Sequence, residues 1–151
     1  MNINAIKFCY LAFELNLKGK DQIREILLPL LADLDYLSIG PTELDAVNRN
    51  IFDSIITCIK YSDLVIADIT KKNPNVLYEL GLAHAWGKPT ILLSKQGTQI
   101  PFDLASNYSI LYYDSLENLS LNKEIIRDAI IRIKTKKQVL DSTTQRFVNP
   151  K

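Results

Sequence analysis

Histidine is almost missing from this sequence. Its 151 residues hold one, His84, and two cysteines, Cys9 and Cys58. A zinc site needs clustered nitrogen, sulfur or acidic ligands, and neither cysteine has a CxxC partner, so no metal is expected. Both thiols sit inside apolar segments, as buried free cysteines do in a reducing compartment. A thiol nucleophile would need a histidine beside it, and nothing local links His84 to either sulfur. Surplus charge is missing as well. The 18 basic and 17 acidic side chains give a formal net charge of +1. That gives no electrostatic reason to expect nucleic acid or an anionic membrane as partner. No apolar run approaches the roughly 18 residues that span a bilayer. The start, "MNINAIKFCYLAF", lacks the charged region and small-residue cleavage site of a signal peptide, so a cytoplasmic protein is expected. Phosphate-cradling loops are absent too. No GxxxxGK[ST] occurs, and no GxGxxG follows the first strand-like segment.

What remains is an ordinary globular composition, 47% hydrophobic and 23% charged, of a length that suits one domain. "AIKFCYLAF" (5–13) reads as a strand, and "NLKGK" as a polar loop. "DQIREILLPLLADLD" (21–35) carries leucines and isoleucines at helical spacing, with Pro29 predicting a kink or break. "YLSIGPTE" is a weak second strand ended by Gly40-Pro41. "NRNIFDSIITCIKYSD" is an amphipathic helix. "DLVIADI" (63–69) and "PTILLSK" (89–95) are nearly continuous apolar runs, the signature of strands covered on both faces. Between them "NPNVLYELGLAHAWGKP" is a helix, with Asn73 as cap, Pro74 at the first position and Gly87-Lys88-Pro89 as stop. "QGTQIPFDLASN" is a loop with a short turn, "YSILYYD" (108–114) a fifth strand, and "NKEIIRDAIIRIKTKKQVL" a closing helix. The domain spans 1–140, and the polar residues 141–151 form a flexible tail.

Alternation of strand and helix implies right-handed crossovers and a doubly wound parallel sheet. Five strands suit the flavodoxin-like order 2-1-3-4-5 in a single α/β domain. Ligands in such sheets bind beyond the carboxyl ends of the strands, where the order reverses, here between strands one and three. Three segments line that crevice: "AFELN" with Phe13, "DITKKNPN" with Asp68, Asn73 and Asn75, and "SKQGTQIPFD" with Phe102. The free N–H groups at the helix start offer a place for a phosphate or a sugar hydroxyl. Glu79 is the anomaly. It falls on the apolar stripe of its helix, between Val76 and Ala83. A buried unpaired carboxylate costs several kcal/mol or takes up a proton, and proteins keep one where it is paired or used. Asp63 reads as a turn or cap residue, His84 as a flank residue, Trp86 as core or pocket wall, and the lysines of "TKK" as solvated.

At these residues the sequence resembles the nucleoside 2-deoxyribosyltransferase-like superfamily. "SDLVIADITKKNPNVLYELGLAHAWGKPTILLSK" follows the pattern DLVIADxTxxNPNVxYELGxAHAxGKP of its small bacterial branch, and "IPFDL" comes after it. The resemblance extends more loosely over residues 5–134. Related architectures include transferases, nucleotide N-glycosidases and TIR-like domains that cleave or bind NAD. The resemblance implies that Glu79, the glutamate of the "ELG" segment, attacks the anomeric carbon of a sugar and forms a glycosyl-enzyme intermediate. Such a carboxylate also stabilises an oxocarbenium-like transition state. Asp68 matches a common family acid after strand three and is carried over as a pocket residue. Transferases often have an aspartate six residues before the glutamate. Asn73 stands there instead, and an amide cannot serve as general acid, which favours a hydrolase or a binding module. The family's first strand often leads into a "GPF" or "MPF" turn. Here "AFELN" puts Glu14 where it would repel a phosphate.

The expected function is cleavage of an N-glycosidic bond in a nucleoside or nucleotide by a hydrolase or deoxyribosyl transferase, without a cofactor. The alternatives are a noncatalytic nucleotide-binding or signalling module and a TIR-like NAD-cleaving domain. Relatives complete their pockets with a neighbouring subunit, which implies a homodimer or larger assembly. The aromatic residues of "YSILYYD" and "IPFDL" are the expected contact surface.

Overall fold

A computed structural model of the chain describes residues 6–14, 22–45, 50–107 and 110–148. Five strands form one sheet: β1 Lys7–Ala12, β2 Tyr36–Ile39, β3 Leu64–Asp68, β4 Thr90–Lys95 and β5 Ile110–Tyr113. Every pairing is parallel, and the order is β2-β1-β3-β4-β5, the flavodoxin-like order expected. The continuous apolar runs explain the centre of the sheet. Cys9–Ala12, Leu64–Ala67 and Ile91–Ser94 are all buried, because helices cover both faces.

The helices are α1 Gln22–Asp33, α2 Pro41–Asp45, α3 Ile51–Tyr61, α4 Pro74–Ala85, α5 Phe102–Asn107, α6 Leu116–Leu121 and α7 Glu124–Val148. Helix α1 runs through Pro29 without ending there. Three short helices exceed the sequence expectation. Helix α2 uses Pro41 as its first residue, α5 replaces the expected short turn, and α6 starts from a Ser115 cap whose hydroxyl accepts from the N–H of Asn118 at 3.1 Å. The α7 backbone runs unbroken past residue 140 to Val148. The expected loop at 16–20, the helix starts at 21 and 48–49, the strand ends at 5 and 108–109, and residues 149–151 lie outside the described residues.

Period-two alternation sorts the strand side chains into two core layers. Cys9, Leu11, Phe13, Leu64, Ile66 and Leu93 pack with Leu27, Leu30 and Leu31 of α1, Leu119 of α6, and Ile126 and Ile130 of α7. Tyr10, Ala12, Val65, Ala67 and Leu92 pack with Leu44 of α2, Ile59 of α3, and Val76, Leu80 and Ala83 of α4. Gly40 ends β2 against β1. A Cβ there would stand 3.0 Å from the Leu11 carbonyl oxygen, so the close strand-to-loop approach depends on glycine.

Candidate functional site

The carboxyl ends of β1, β3, β4 and β5 open onto a cavity of about 370 Å³. Its lining includes Phe13 and Glu14 after β1, Asp68, Thr70, Lys71 and Asn73 after β3, Lys95 at the end of β4, and Tyr113 and Ser115 after β5. This is the crevice that the strand order predicts. Asp68, the last residue of β3, alternates with Ile66 and so shares the α1 side of the sheet.

Asp68 is held by two donors. The Thr70 N–H donates to Oδ1 at 2.8 Å, and the Tyr113 hydroxyl donates to Oδ2 at 2.7 Å. The single Tyr113 proton is thereby spent on Asp68. The Thr70 hydroxyl, 3.2 Å away, must then donate to Tyr113 while it accepts from the Lys95 N–H at 2.8 Å. One polarised chain of hydrogen bonds ties the ends of three strands together and fixes the Asp68 carboxylate on the cavity wall.

At the cavity mouth the Lys71 ammonium pairs with Glu14 Oε2 at 2.8 Å. Hydrogen bonding from Lys71, with further help from Asn73, holds the Glu14 carboxyl below its ordinary range, so it is ionised. Asn73 is also the cap of α4. Its Oδ1 accepts from the N–H groups of Asn75 at 2.9 Å and Val76 at 3.4 Å. The helix begins with Pro74, which has no N–H to offer.

Glu79 occupies the buried stripe of α4 with Val76, Leu80 and Ala83, as its spacing predicts. It is 5% exposed. Its Oε2 has no hydrogen-bond partner, and neither has the hydroxyl of Tyr10. The two groups nevertheless face each other within the second core layer. Burial pushes the Glu79 carboxyl up to about 7, and the nearby Tyr10 hydroxyl opposes that rise. Burial, with Glu79 alongside, drives the Tyr10 phenol far above its ordinary range and keeps it neutral.

Of the residues that the sequence singles out, Phe13, Asp68 and Asn73 meet on the cavity wall. Three others are not among its lining. Glu79 sits beneath α4, Asn75 is exposed in the first turn of that helix, and Phe102 is 82% exposed at the start of α5. Asp63 serves as a strand-end anchor, its Oδ2 accepting from the Phe8 N–H at 2.9 Å. Trp86 closes α4 as its C-cap, and His84 is exposed on the last turn. Lys71 is paired rather than merely solvated. Tyr10, Thr70, Lys95 and Tyr113 escape a reading of the sequence. Alternation along β1 puts Tyr10 on the same face as Ala12, but only the crossing of α4 reveals that this face meets Glu79. Among the described residues, no cluster of histidine, cysteine or acidic side chains is placed to hold a metal, and no helix is long and apolar enough to cross a membrane.

No protein-family model and no curated protein sequence matches the chain. Solved structures do. The CMP N-glycosidase BcmB of Clostridium botulinum aligns with a TM-score of 0.63 at 20% identity, over 80% of this chain and 99% of that one. A 2-deoxyribosyltransferase from the psychrotolerant Bacillus psychrosaccharolyticus aligns with a TM-score of 0.58 at 20% identity, over 75% and 90%. At such identities the likeness is one of fold. The chain shares its fold with an N-glycosidase and with a deoxyribosyltransferase.

Proposed function

We propose that the protein is an N-glycosidase of a nucleoside or nucleotide, with Glu79 as its nucleophile. The observation that carries this reading is the Glu79 carboxyl itself, buried on the inner stripe of α4 with Oε2 unpaired. Burying such a group is costly, and sites of chemistry are where that cost is commonly met. The fold shared with two enzymes of N-glycosidic bonds supports the same reading. In the reaction, a Glu79 oxygen attacks C1′ as the C1′–N bond breaks. The bonding electrons leave with the base, which takes a proton from solvent. Water then adds to C1′ of the glycosyl ester, the carboxylate departs, and the proton of the water returns to solvent. The sugar has to reach Glu79 along the carboxyl edge of β1 and β3, between the cavity and α4. Asn73, whose carbonyl is occupied as a helix cap, supplies no acid for a leaving base, which favours hydrolysis over transfer.

A second reading is a noncatalytic nucleoside- or nucleotide-binding module. What favours it is that Glu79 lies outside the cavity lining and that burial pushes its carboxyl up to about 7. Incubating the protein with nucleosides, deoxynucleotides and NAD, followed by chromatography, separates the two. Free base supports the glycosidase, base exchange points to a transferase, and binding without cleavage supports the module.

The assembly belongs to the proposal as well. Tyr112 on the edge strand β5 is exposed, as is the Phe52–Tyr78 pair on α3 and α4, whose rings stand 5.7 Å apart. Aromatic surface of this kind, with Phe102 nearby in sequence, suits a contact between copies of the chain. A monomer by light scattering at high micromolar concentration overturns this.

A further inference from the structure

The crevice carries charges of both signs, and their arrangement decides what kind of sugar it accepts. Among the described residues, its lining holds the carboxylates Glu14 and Asp68 and the ammonium groups Lys71 and Lys95, so acids and bases balance. Lys71 is already engaged by Glu14 at 2.8 Å. Lys95 is exposed on the rim.

The helix start that the sequence offers for a phosphate is closed. Pro74 has no N–H, and those of Asn75 and Val76 are donated to Asn73 Oδ1. The next, Leu77 N–H, donates to the Asn73 carbonyl at 3.0 Å. A phosphate site at a helix N-terminus works because such N–H groups are free, and here they are not. Glu14 stands at that helix start, receiving a hydrogen bond from the Asn73 side chain and paired with Lys71.

We infer that this crevice selects the unphosphorylated nucleoside over its 5′-monophosphate, with Glu14 as the residue that rejects the phosphate. The carboxylates of Glu14 and Asp68 can accept hydrogen bonds from sugar hydroxyls, a role a phosphate dianion cannot fill. The inference rests on the reading of the crevice as a nucleoside or nucleotide site. It separates this chain from the CMP N-glycosidase whose fold it shares.

The test is isothermal titration calorimetry of the full chain with cytidine, the 2′-deoxynucleosides and the corresponding 5′-monophosphates, paired with chromatography of the same mixtures. A nucleoside preferred by on the order of tenfold, with a gap that narrows in Glu14→Gln, is the expected result, because that change removes one repelling charge and frees Lys71. In the unmodified protein, added salt narrows the gap as well, since it screens the repulsion. Equal or tighter binding of the monophosphates overturns the inference, and if they are also cleaved the glycosidase reading survives it. A nucleoside that binds selectively without being cleaved supports the inference and removes the glycosidase. No binding of either at millimolar concentration overturns both.

Discussion

The two faces of the sheet are packed by different rules. On the side of α1, α6 and α7, the buried cluster is mostly aliphatic; its polar groups are the Tyr36 phenol and the Cys9 thiol, both pushed above their ordinary range by burial. On the side of α3 and α4, the layer holds a carboxyl and a phenol with unmatched hydrogen-bonding atoms, Glu79 Oε2 and the Tyr10 hydroxyl. Apolar burial on the first face contributes stability. The second face gives some of it up to keep an acid dry. A layer built only for stability would put leucine or methionine where Glu79 stands, since apolar residues of similar volume commonly match or exceed buried charge in stability.

The sharpest way to break this contrast is Glu79→Gln. The change is nearly isosteric, so the fold should persist. Glycosidic cleavage should fall by about a thousandfold or more, because an amide is a poor nucleophile and cannot offset charge at the anomeric carbon. Melting temperature at pH 8 should rise, since a buried carboxylate is no longer forced to ionise. Melting and cleavage measured on one preparation decide the matter. An active variant, or one that simply unfolds, returns Glu79 to a structural role.

A matched pair of truncations sharpens the comparison next. Leu31 on α1 and Leu80 on α4 are both essentially inaccessible. Leu31→Ala opens a hole in a layer of mostly aliphatic side chains and should cost about 3–4 kcal/mol by chemical denaturation. Leu80→Ala opens one beside Glu79 and Tyr10, where water can enter and satisfy polar atoms, so its cost should be lower, about 2–3 kcal/mol. Equal costs would show that the second layer is as apolar in effect as the first.

The third effect is on pH dependence. The Glu79 carboxyl rises from an ordinary value of 4.5 to about 7 on folding. Between these values the folded protein holds a proton that the unfolded chain has lost, so this group's contribution to stability falls as pH rises from 4.5 to 7 and is flat beyond. The loss is on the order of 3 kcal/mol. The carboxyls of Glu14 and Asp114 are lowered and act in the opposite sense, so the difference between the unmodified protein and Glu79→Gln isolates the Glu79 contribution. On the proposed mechanism the nucleophile is the ionised form, so cleavage should rise through the same window in which stability falls. A stability difference that does not change with pH would remove the buried acid from the account.

Much of this was legible in the sequence because local pattern and global fold agree. Continuous apolar runs announced the buried strands, their alternation with helices announced the order, and the stripe of α4 announced that Glu79 points inward. What escaped depends on pairs distant in the chain. Lys71 meets Glu14, and Tyr113 meets Asp68, across separations that no local period encodes. The short helices escaped for another reason: one turn made from a cap and a proline carries too few residues to show a period. The location of Glu79 outside the cavity lining also escaped, since helical spacing tells how a side chain faces its own helix and not which side of the sheet that helix covers.

The smallest expected effect concerns Asn73, which stands between the two regions as cap of α4 and wall of the crevice. Asn73→Ala removes the acceptor for the N–H groups of Asn75 and Val76 and should cost about 1 kcal/mol of stability. Asn73→Asp keeps an acceptor of the same shape at a helix N-terminus, where negative charge is favourable, so the cap itself should survive. The new carboxylate, however, faces Glu14, which now receives a hydrogen bond from the Asn73 amide. That contact would become a repulsion that Lys71 alone must balance, and like charges at such range raise the pKa of one partner. The aspartate variant should therefore match the unmodified protein in stability near pH 5 and fall below it as pH rises, whereas the alanine variant should lose a similar amount at both. Thermal melts of the three proteins at pH 5 and pH 8 make the comparison. An aspartate variant that tracks the unmodified protein at both pH values would mean that Glu14 and Asn73 do not share the mouth of the crevice in solution.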